Sequence, residues 1–173
     1  FVEPFYDHPG YVAAMRDHLT ERLSQLAHAP DKFVITFHGI PQRYIDTGDP
    51  YRKQCEHSAY LLAQAMGWRE DEWLMCFQSR FGPEKWLEPY TDKTLEALAN
   101  RGVTRPLVFS PGFVTDCLET LDELGNEGQH QFADGGGSPE NYVLAPCLNA
   151  YPGWLDVLAQ LIQTNALGWD SST

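Results

Sequence analysis

An apolar run that ends in a histidine constrains the fold of this chain more than any other feature. The run from Phe33 to Phe37 is β-branched and aromatic, without polar alternation, which is typical of a strand buried on both faces of a parallel sheet. It stops at His38-Gly39, so His38 lies where a buried strand passes into a loop. Ligands of open α/β sheets bind beyond the carboxyl ends of the strands. His38 is therefore a candidate for chemistry, with a packing histidine as the alternative.

The remainder of the chain alternates helices with strands. Apolar spacing and capping residues predict helices over residues 11–26, 50–66, 92–101, 114–127 and 154–167, with Asp49 and Thr91 as caps. Strands are predicted over residues 33–37, 72–77, 106–110 and 142–145. This alternation predicts one three-layer α/β domain over residues 1–173 with a four-stranded parallel sheet, and residues 168–173 as a frayed tail. The order of the strands stays open.

Composition argues against several classes of function. No segment approaches the roughly 20 apolar residues of a membrane-spanning helix, and no signal-peptide pattern is present. The net charge of −12 argues against nucleic-acid binding, because proteins that bind nucleic acids need a basic surface. None of the four cysteines belongs to a CxxC pair, so a zinc ribbon is not expected and reduced, buried thiols are predicted.

Four carboxylates are predicted to share one face of the helix over residues 114–127, at about 100° per residue. They are Asp116, Glu119, Glu123 and Glu127. The opposite, apolar face consists of Cys117, Leu118, Leu121 and Leu124. Like charges four residues apart repel, so each glutamate-to-glutamine change should slightly stabilise the helix. A solvated acidic face is one interpretation. The other is that the first carboxylates reach the crevice beside His38, raise one another's pKa and attract a divalent cation.

Several motifs together resemble a known family. They are FHGIPQRYIDTGDPYRKQC, FQSRFGPEKWLEPYT and PGFVTDCLETLDEL, in this order, with PFYDHPGYV near the start and PCLNA near the end. This set resembles ferrochelatase, a metal-inserting lyase that places ferrous iron in a porphyrin during haem synthesis. Members of that family consist of two similar Rossmann-like halves around a porphyrin cleft. The resemblance implies that this chain is the carboxyl-terminal half, with a Rossmann-like, chelatase-like fold.

The resemblance also implies roles for individual residues. His38 matches the active-site histidine and Glu119 the active-site glutamate, and both are expected to be catalytic. The expected metal-binding residues are His38, Glu119, Asp116 and Glu123. Trp86 matches a tryptophan in the cleft, and Tyr44 and Phe113 are further candidates for porphyrin contact, with ordinary packing as the alternative.

The function implied by the resemblance is insertion of Fe(II) into protoporphyrin, since FHGIPQRY resembles the branch acting on protoporphyrin rather than coproporphyrin. Fe(II) and the porphyrin would be substrates. No tightly bound cofactor is expected, and a [2Fe–2S] cluster is disfavoured but not excluded by the four cysteines. A neutral histidine could accept a pyrrole proton that a carboxylate stripe relays outward. Whether His38 mainly accepts protons or delivers metal stays open.

The expected partner is the amino-terminal half of the same polypeptide, without which the fragment should be inactive. A cytoplasmic location is expected, and peripheral membrane contact is left open. Two alternative functions remain at this point: a non-catalytic domain that binds metal or a tetrapyrrole, and a chelatase for another tetrapyrrole.

Overall fold

Four parallel strands form the centre of the fold in a computed structural model that describes residues 1–166. They are β1 (Lys32–His38), β2 (Trp73–Gln78), β3 (Pro106–Phe109) and β4 (Val143–Leu144). The order across the sheet is β2-β1-β3-β4, so β1 has a neighbour on each side. Phe33 lies opposite both Trp73 of β2 and Leu107 of β3. The predicted four-stranded parallel sheet is confirmed, and its order places His38 at the middle of one sheet edge.

Helices cover both faces of the sheet. One face carries α1 (Pro9–Ser24), α3 (Tyr51–Met66) and α6 (Pro152–Asn165). The other carries α4 (Thr91–Asn100), a π-helix (Glu119–Glu127) and α5 (Gly128–Asp134). Two shorter helices, α2 (Gln42–Asp46) and a 3₁₀ turn (Pro139–Asn141), lie in the loops. Successive β1 side chains enter the two cores in turn, which explains its lack of polar alternation.

The predicted helix over residues 114–127 is wrong in both its start and its type. Residues 114–117 precede the helix, and Glu119–Glu127 is a π-helix that continues into α5. Each residue of a π-helix turns through a smaller angle than in an α-helix, because its hydrogen bonds span five residues instead of four. The predicted apolar face is therefore divided. Leu124 is buried at 1% exposure, whereas Leu118 and Leu121 are 74% and 59% exposed.

The other predicted helix ends within residues 1–166 lie within two residues of the observed ones, and α3 begins at Tyr51 with Pro50, not Asp49, at the cap position. Asp49 Oδ1 accepts a hydrogen bond from the Tyr51 amide at 2.9 Å, and Gly67 ends α3 with a φ of 69°. Thr91, however, is the first residue of α4 and not its cap. Its buried hydroxyl lies 2.8 Å from Thr36 Oγ1 in the core, so it is unavailable to the helix end. The predicted helix end at Leu167 and the predicted tail lie outside the described residues.

All four cysteines carry free thiols. Cys55, Cys76 and Cys147 are buried as predicted, whereas Cys117 is only half-buried. Burial raises the pKa of Cys55 to about 12 and that of Cys76 to about 11. Within residues 1–166, no helix is both long enough and apolar enough to cross a membrane.

Candidate active site

His38 ends the central strand, with Gln78 of β2 beside it. Its Nδ1 lies 2.6 Å from the Gly39 carbonyl oxygen. A carbonyl oxygen only accepts hydrogen bonds, so Nδ1 carries the proton, and Nε2 of the neutral imidazole keeps its lone pair. The backbone carbonyl of His38 accepts a hydrogen bond from the Tyr51 hydroxyl at 2.8 Å, which fixes the strand end. The half-buried imidazole can therefore accept a proton or bind a metal through Nε2.

Two aromatic rings adjoin His38. The ring centroids of Trp86 and Phe113 each lie 6.3 Å from that of His38. Trp86 is held by a hydrogen bond from its Nε1 to the Phe81 carbonyl at 2.8 Å. Gly39 allows this approach, because a Cβ there would lie 3.2 Å from Trp86 Cε3 and 2.9 Å from the Gln78 carbonyl oxygen. The structure thus brings two of the three predicted porphyrin contacts next to His38.

Tyr44, the third predicted porphyrin contact, lies on α2 with 45% of its surface exposed. The Arg43 guanidinium lies over its ring, 5.0 Å from the centroid. Arg43 in turn forms an ion pair with Glu84 at 3.1 Å. Tyr44 is accordingly an exposed ring on a loop helix, and its role as a porphyrin contact stays a prediction.

Glu119 is the first residue of the π-helix and lies in the electrostatic range of His38. A hydrogen bond from Cys117, the backbone amide of Glu119 and the charge that His38 carries when protonated together lower the pKa of this half-buried carboxyl, against slight desolvation. The expected upward shift from clustered carboxylates is therefore wrong for Glu119. The predicted catalytic pair thus lies within electrostatic range of each other.

Asp116 precedes the π-helix and faces the loop after β4. Its carboxylate accepts hydrogen bonds from Asn149 Nδ2 at 2.6 Å, the Cys147 amide at 3.1 Å and Thr120 Oγ1 at 3.1 Å. Burial alone would raise the pKa of Asp116, but the hydrogen bonds from Asn149, Cys147 and Thr120 outweigh it and lower that pKa. Asp116 thus keeps its charge while both of its oxygens are occupied.

Glu123 is held by the end of β2. Its two carboxylate oxygens accept hydrogen bonds from the Ser79 amide at 2.6 Å and from Ser79 Oγ at 2.5 Å. Ser79 has a φ of 65°, a left-handed conformation that few non-glycine residues adopt. A polar pocket of about 200 Å³ adjoins this contact, and Glu127 forms part of its lining. The four carboxylates of the sequence stripe therefore have different surroundings.

The predicted metal-binding residues are not gathered into one cluster. Among residues 1–166, no group of three or more His, Cys, Asp or Glu side chains is placed to hold a metal ion together. Asp116 and Glu123 accept hydrogen bonds from Asn149 and Ser79, whereas Glu119 lies within electrostatic range of His38. Metal binding by that last pair stays a prediction.

Sequence reasoning missed the groups that hold these carboxylates. Ser79 and Asn149 both belong to polar peptides that follow strands, so their positions were already of interest, but nothing in the sequence shows which carboxylate each contacts. Leu118 and Leu121 were missed as exposed apolar groups because the α-helical period placed them in the core. Only the structure reveals that Leu118, just before the π-helix, and Leu121, within it, are exposed.

Comparison with known proteins gives a consistent family and fold. The family model for ferrochelatase matches residues 1–166. The ferrochelatase of Marinobacter nauticus is 42% identical over 170 residues, which cover 98% of this chain and 45% of that protein. The ferrochelatase of Rhizobium meliloti is 44% identical over 168 residues, covering 97% of this chain and 49% of that protein. The chain thus spans about half the length of these relatives.

A solved structure is also similar to this chain. SirB from Bacillus subtilis with Fe3+ superposes with a TM-score of 0.52 at 12% sequence identity. The superposition covers 92% of this chain and 56% of that one. At this identity the similarity concerns the fold alone, and it agrees with a parallel sheet between two layers of helices.

Proposed function

Since this chain belongs to the ferrochelatase family, we propose that it is the carboxyl-terminal half of an enzyme that inserts Fe(II) into protoporphyrin. His38 and Glu119 are its reacting residues in this proposal. The observation that carries it is that Nδ1 of His38 donates to the Gly39 carbonyl, which leaves Nε2 to accept a proton next to the rings of Trp86 and Phe113, with Glu119 in electrostatic range.

The chemistry requires a base because a free-base porphyrin must lose two pyrrole protons as the metal enters. Nε2 of His38 can take one of them, since Nδ1 already donates to the Gly39 carbonyl, and it can take the second after it has released the first to solvent. The resulting imidazolium is stabilised by the adjacent Glu119 carboxylate. Nitrogen and carboxylate oxygen are also suitable transient ligands for Fe(II). The same two side chains can thus accept the proton and bind the metal.

The aromatic groups supply a surface for the macrocycle. Trp86 and Phe113 adjoin the base, and Leu118 and Leu121 are exposed at the start of the π-helix. Flat apolar surface of this kind binds an aromatic ligand through burial of area. Binding the porphyrin in a bent shape would turn its nitrogen lone pairs toward the metal, at the expense of binding energy.

A hybrid protein tests the proposal. Residues 1–173 replace the aligned carboxyl-terminal region of the Marinobacter nauticus ferrochelatase, and insertion of Fe(II) or Zn(II) into protoporphyrin is followed by metalloporphyrin absorbance. We expect turnover by the hybrid and negligible turnover by the chain alone. His38→Ala should lower kcat at least tenfold, about 1.4 kcal/mol of barrier. Its melting temperature should change little, because a half-buried side chain at a strand end contributes little packing.

The controls separate chemistry from charge. Glu119→Gln should lower kcat as strongly as His38→Ala, Glu123→Gln less, and the exposed Glu127→Gln almost not at all. Full turnover in the His38→Ala hybrid would remove His38 from the mechanism. Preference for coproporphyrin or another tetrapyrrole in a substrate panel would contradict the assignment of protoporphyrin. A hybrid that folds and binds porphyrin but inserts no metal would contradict the proposed function.

A further inference from the structure

The segment before the π-helix is joined to the loop after β4 by a reciprocal pair of hydrogen bonds. Asn149 Nδ2 donates to Asp116 Oδ2 at 2.6 Å, and the Asp116 amide donates to Asn149 Oδ1 at 2.9 Å. Each residue therefore gives one hydrogen bond and receives one. These two residues, with the groups that they bind, are called the Asp116–Asn149 clamp below.

The other oxygen of Asp116 is also occupied. Oδ1 accepts hydrogen bonds from the Cys147 amide and from Thr120 Oγ1, both at 3.1 Å. Cys147 is 3% exposed and Thr120 is 1% exposed, so these donors are shielded from water. Buried donors must be paired, or each costs the free energy of its lost hydration. Both oxygens of Asp116 thus serve protein donors.

The backbone of Asn149 is shaped for this contact. Its φ of 48° is a left-handed conformation, which asparagine tolerates better than most residues. Its amide donates to the Val114 carbonyl at 2.8 Å. A non-glycine residue stays in this conformation only where its surroundings fix it, and such positions cluster at functional sites. The loop after β4 is therefore hydrogen-bonded to this segment at residue 114 as well as at residue 116.

The residues held by these hydrogen bonds lie next to the reacting part of the site. Phe113 lies just before Val114, and Glu119 lies between Asp116 and Thr120, the two ends of one hydrogen bond. The Phe113 ring adjoins His38 at the end of β1, and Glu119 lies within electrostatic range of it. Any displacement of this segment moves the ring and the carboxylate away from the base together. Groups that orient reacting side chains in this way commonly change activity strongly when they are lost.

We propose that Asp116 and Asn149 are positioning residues that hold Phe113 and Glu119 against His38, and that Asp116 contacts neither the metal nor the porphyrin. The part of this inference that concerns turnover rests on the proposed function. The part that concerns geometry does not, because it can be measured in the chain itself.

An exchange of the two residues tests the clamp. In Asp116→Asn, the side-chain amide nitrogens of residues 116 and 149 face each other, and both are donors. In Asn149→Asp, two carboxylates face each other, and both are acceptors. The double variant Asp116→Asn/Asn149→Asp restores the hydrogen bonds between the two residues, because Asn at 116 donates to Asp at 149, and its oxygen still accepts from Cys147 and Thr120. It loses only the weaker bond from Asn149 Nδ2 to the Cys147 carbonyl at 3.2 Å. A carboxylate required for proton or metal transfer at position 116 would not be restored.

Two measurements on residues 1–173 report the geometry. The His38 ring protons respond to the Phe113 ring current at the 6.3 Å separation, so their NMR shifts should move in both single variants and return in the double variant. Amide exchange at residues 116 and 147 should accelerate at least about tenfold in the single variants and recover in the double variant. Should a single variant fail to fold, Thr120→Val removes one donor to Asp116 and the acceptor of the Cys117 amide, leaves the Asp116–Asn149 pair intact, and should cause smaller changes of the same sign.

Turnover of the hybrid protein provides the functional measurement. We expect kcat to fall at least tenfold in each single variant and to recover in the double variant. Recovered His38 shifts with kcat still low would show that the carboxylate itself acts at position 116, which overturns the inference. Single variants, or Thr120→Val, with unchanged shifts and exchange would show that no clamp exists. If the hybrid is inactive while the shifts follow the cycle, the proposed function fails and the clamp's geometric role stands.

Discussion

Glu123→Gln should destabilise the chain, although the sequence pattern alone predicts the opposite. In the sequence, Glu123 stands four residues from both Glu119 and Glu127, so loss of its charge should relieve repulsion. In the structure, its carboxylate accepts hydrogen bonds from the Ser79 amide and from Ser79 Oγ. Glutamine preserves the shape and both contacts, because its oxygen can accept from the amide while its nitrogen donates to Oγ. Only the charge is lost.

The magnitude follows from the two opposing terms. A hydrogen bond to a charged group contributes about 1.5–3 kcal/mol, against about 0.5–1.5 kcal/mol for a neutral one, so two bonds lose about 2 kcal/mol. Relief of two like-charge pairs returns about 0.2–0.5 kcal/mol each. We therefore expect the free energy of unfolding to fall by about 1 kcal/mol, which for a chain of this size is about 2–4 °C in Tm.

Urea unfolding of residues 1–173, followed by circular dichroism at 25 °C, measures this difference. Ser79→Ala and Ser79→Gly serve as a matched pair, since both remove Oγ and keep the amide. Glycine adopts the left-handed conformation of residue 79 without strain, so Ser79→Gly should destabilise less than Ser79→Ala. Glu127→Gln, at an exposed position, should show only the small stabilising effect. Equal or greater stability of Glu123→Gln relative to the natural chain would refute the reasoning.

Two further predictions concern acid stability and thiol reactivity. Burial alone would raise the pKa of Asp31, but hydrogen bonds from Thr104 and Arg105 outweigh it and lower that pKa. The ionised Asp31 therefore stabilises the folded chain above about pH 4. This contribution is lost as the pH falls through the pKa that Asp31 has in the folded chain. Urea unfolding between pH 5 and pH 2 should therefore show a smaller loss of stability in Asp31→Asn; an unchanged pH profile would contradict this. Cys117 is the one half-buried thiol, so a thiol reagent at pH 8 should give a single fast phase that Cys117→Ser removes; a fast phase that survives this substitution would contradict it.

The fold could be predicted because its signals are local. The apolar run at β1, the glycines beyond α3 and α4, and the helix periodicity all depend on neighbouring residues. The π-helix was missed because its leucines also satisfy an α-helical period over residues 114–127, and no single residue marks the wider turn.

The site was predictable only in part, for a different reason. His38 could be placed because it ends a strand, and strand ends meet at one sheet edge. The surroundings of the carboxylates depend on long-range contacts, which spacing does not encode. Asp116 meets Asn149 across 33 positions of sequence, and Glu123 meets Ser79 across 44. A one-sequence pattern therefore shows four carboxylates in a stripe but not that three of them, Asp116, Glu119 and Glu123, have separate partners.

Those separate partners explain how an acidic stripe is tolerated next to a base. Like charges crowded on one helix would raise one another's pKa unless each has its own donors. Here Asp116 accepts a hydrogen bond from Asn149, Glu119 from Cys117, and Glu123 from Ser79. The pKa values of Asp116 and Glu119 lie below their usual range. Asn149 and Ser79 belong to loops at the ends of β4 and β2, on the two sides of β1. The hydrogen bonds that keep the carboxylates apart therefore also fasten the π-helix to the sheet edge that carries His38.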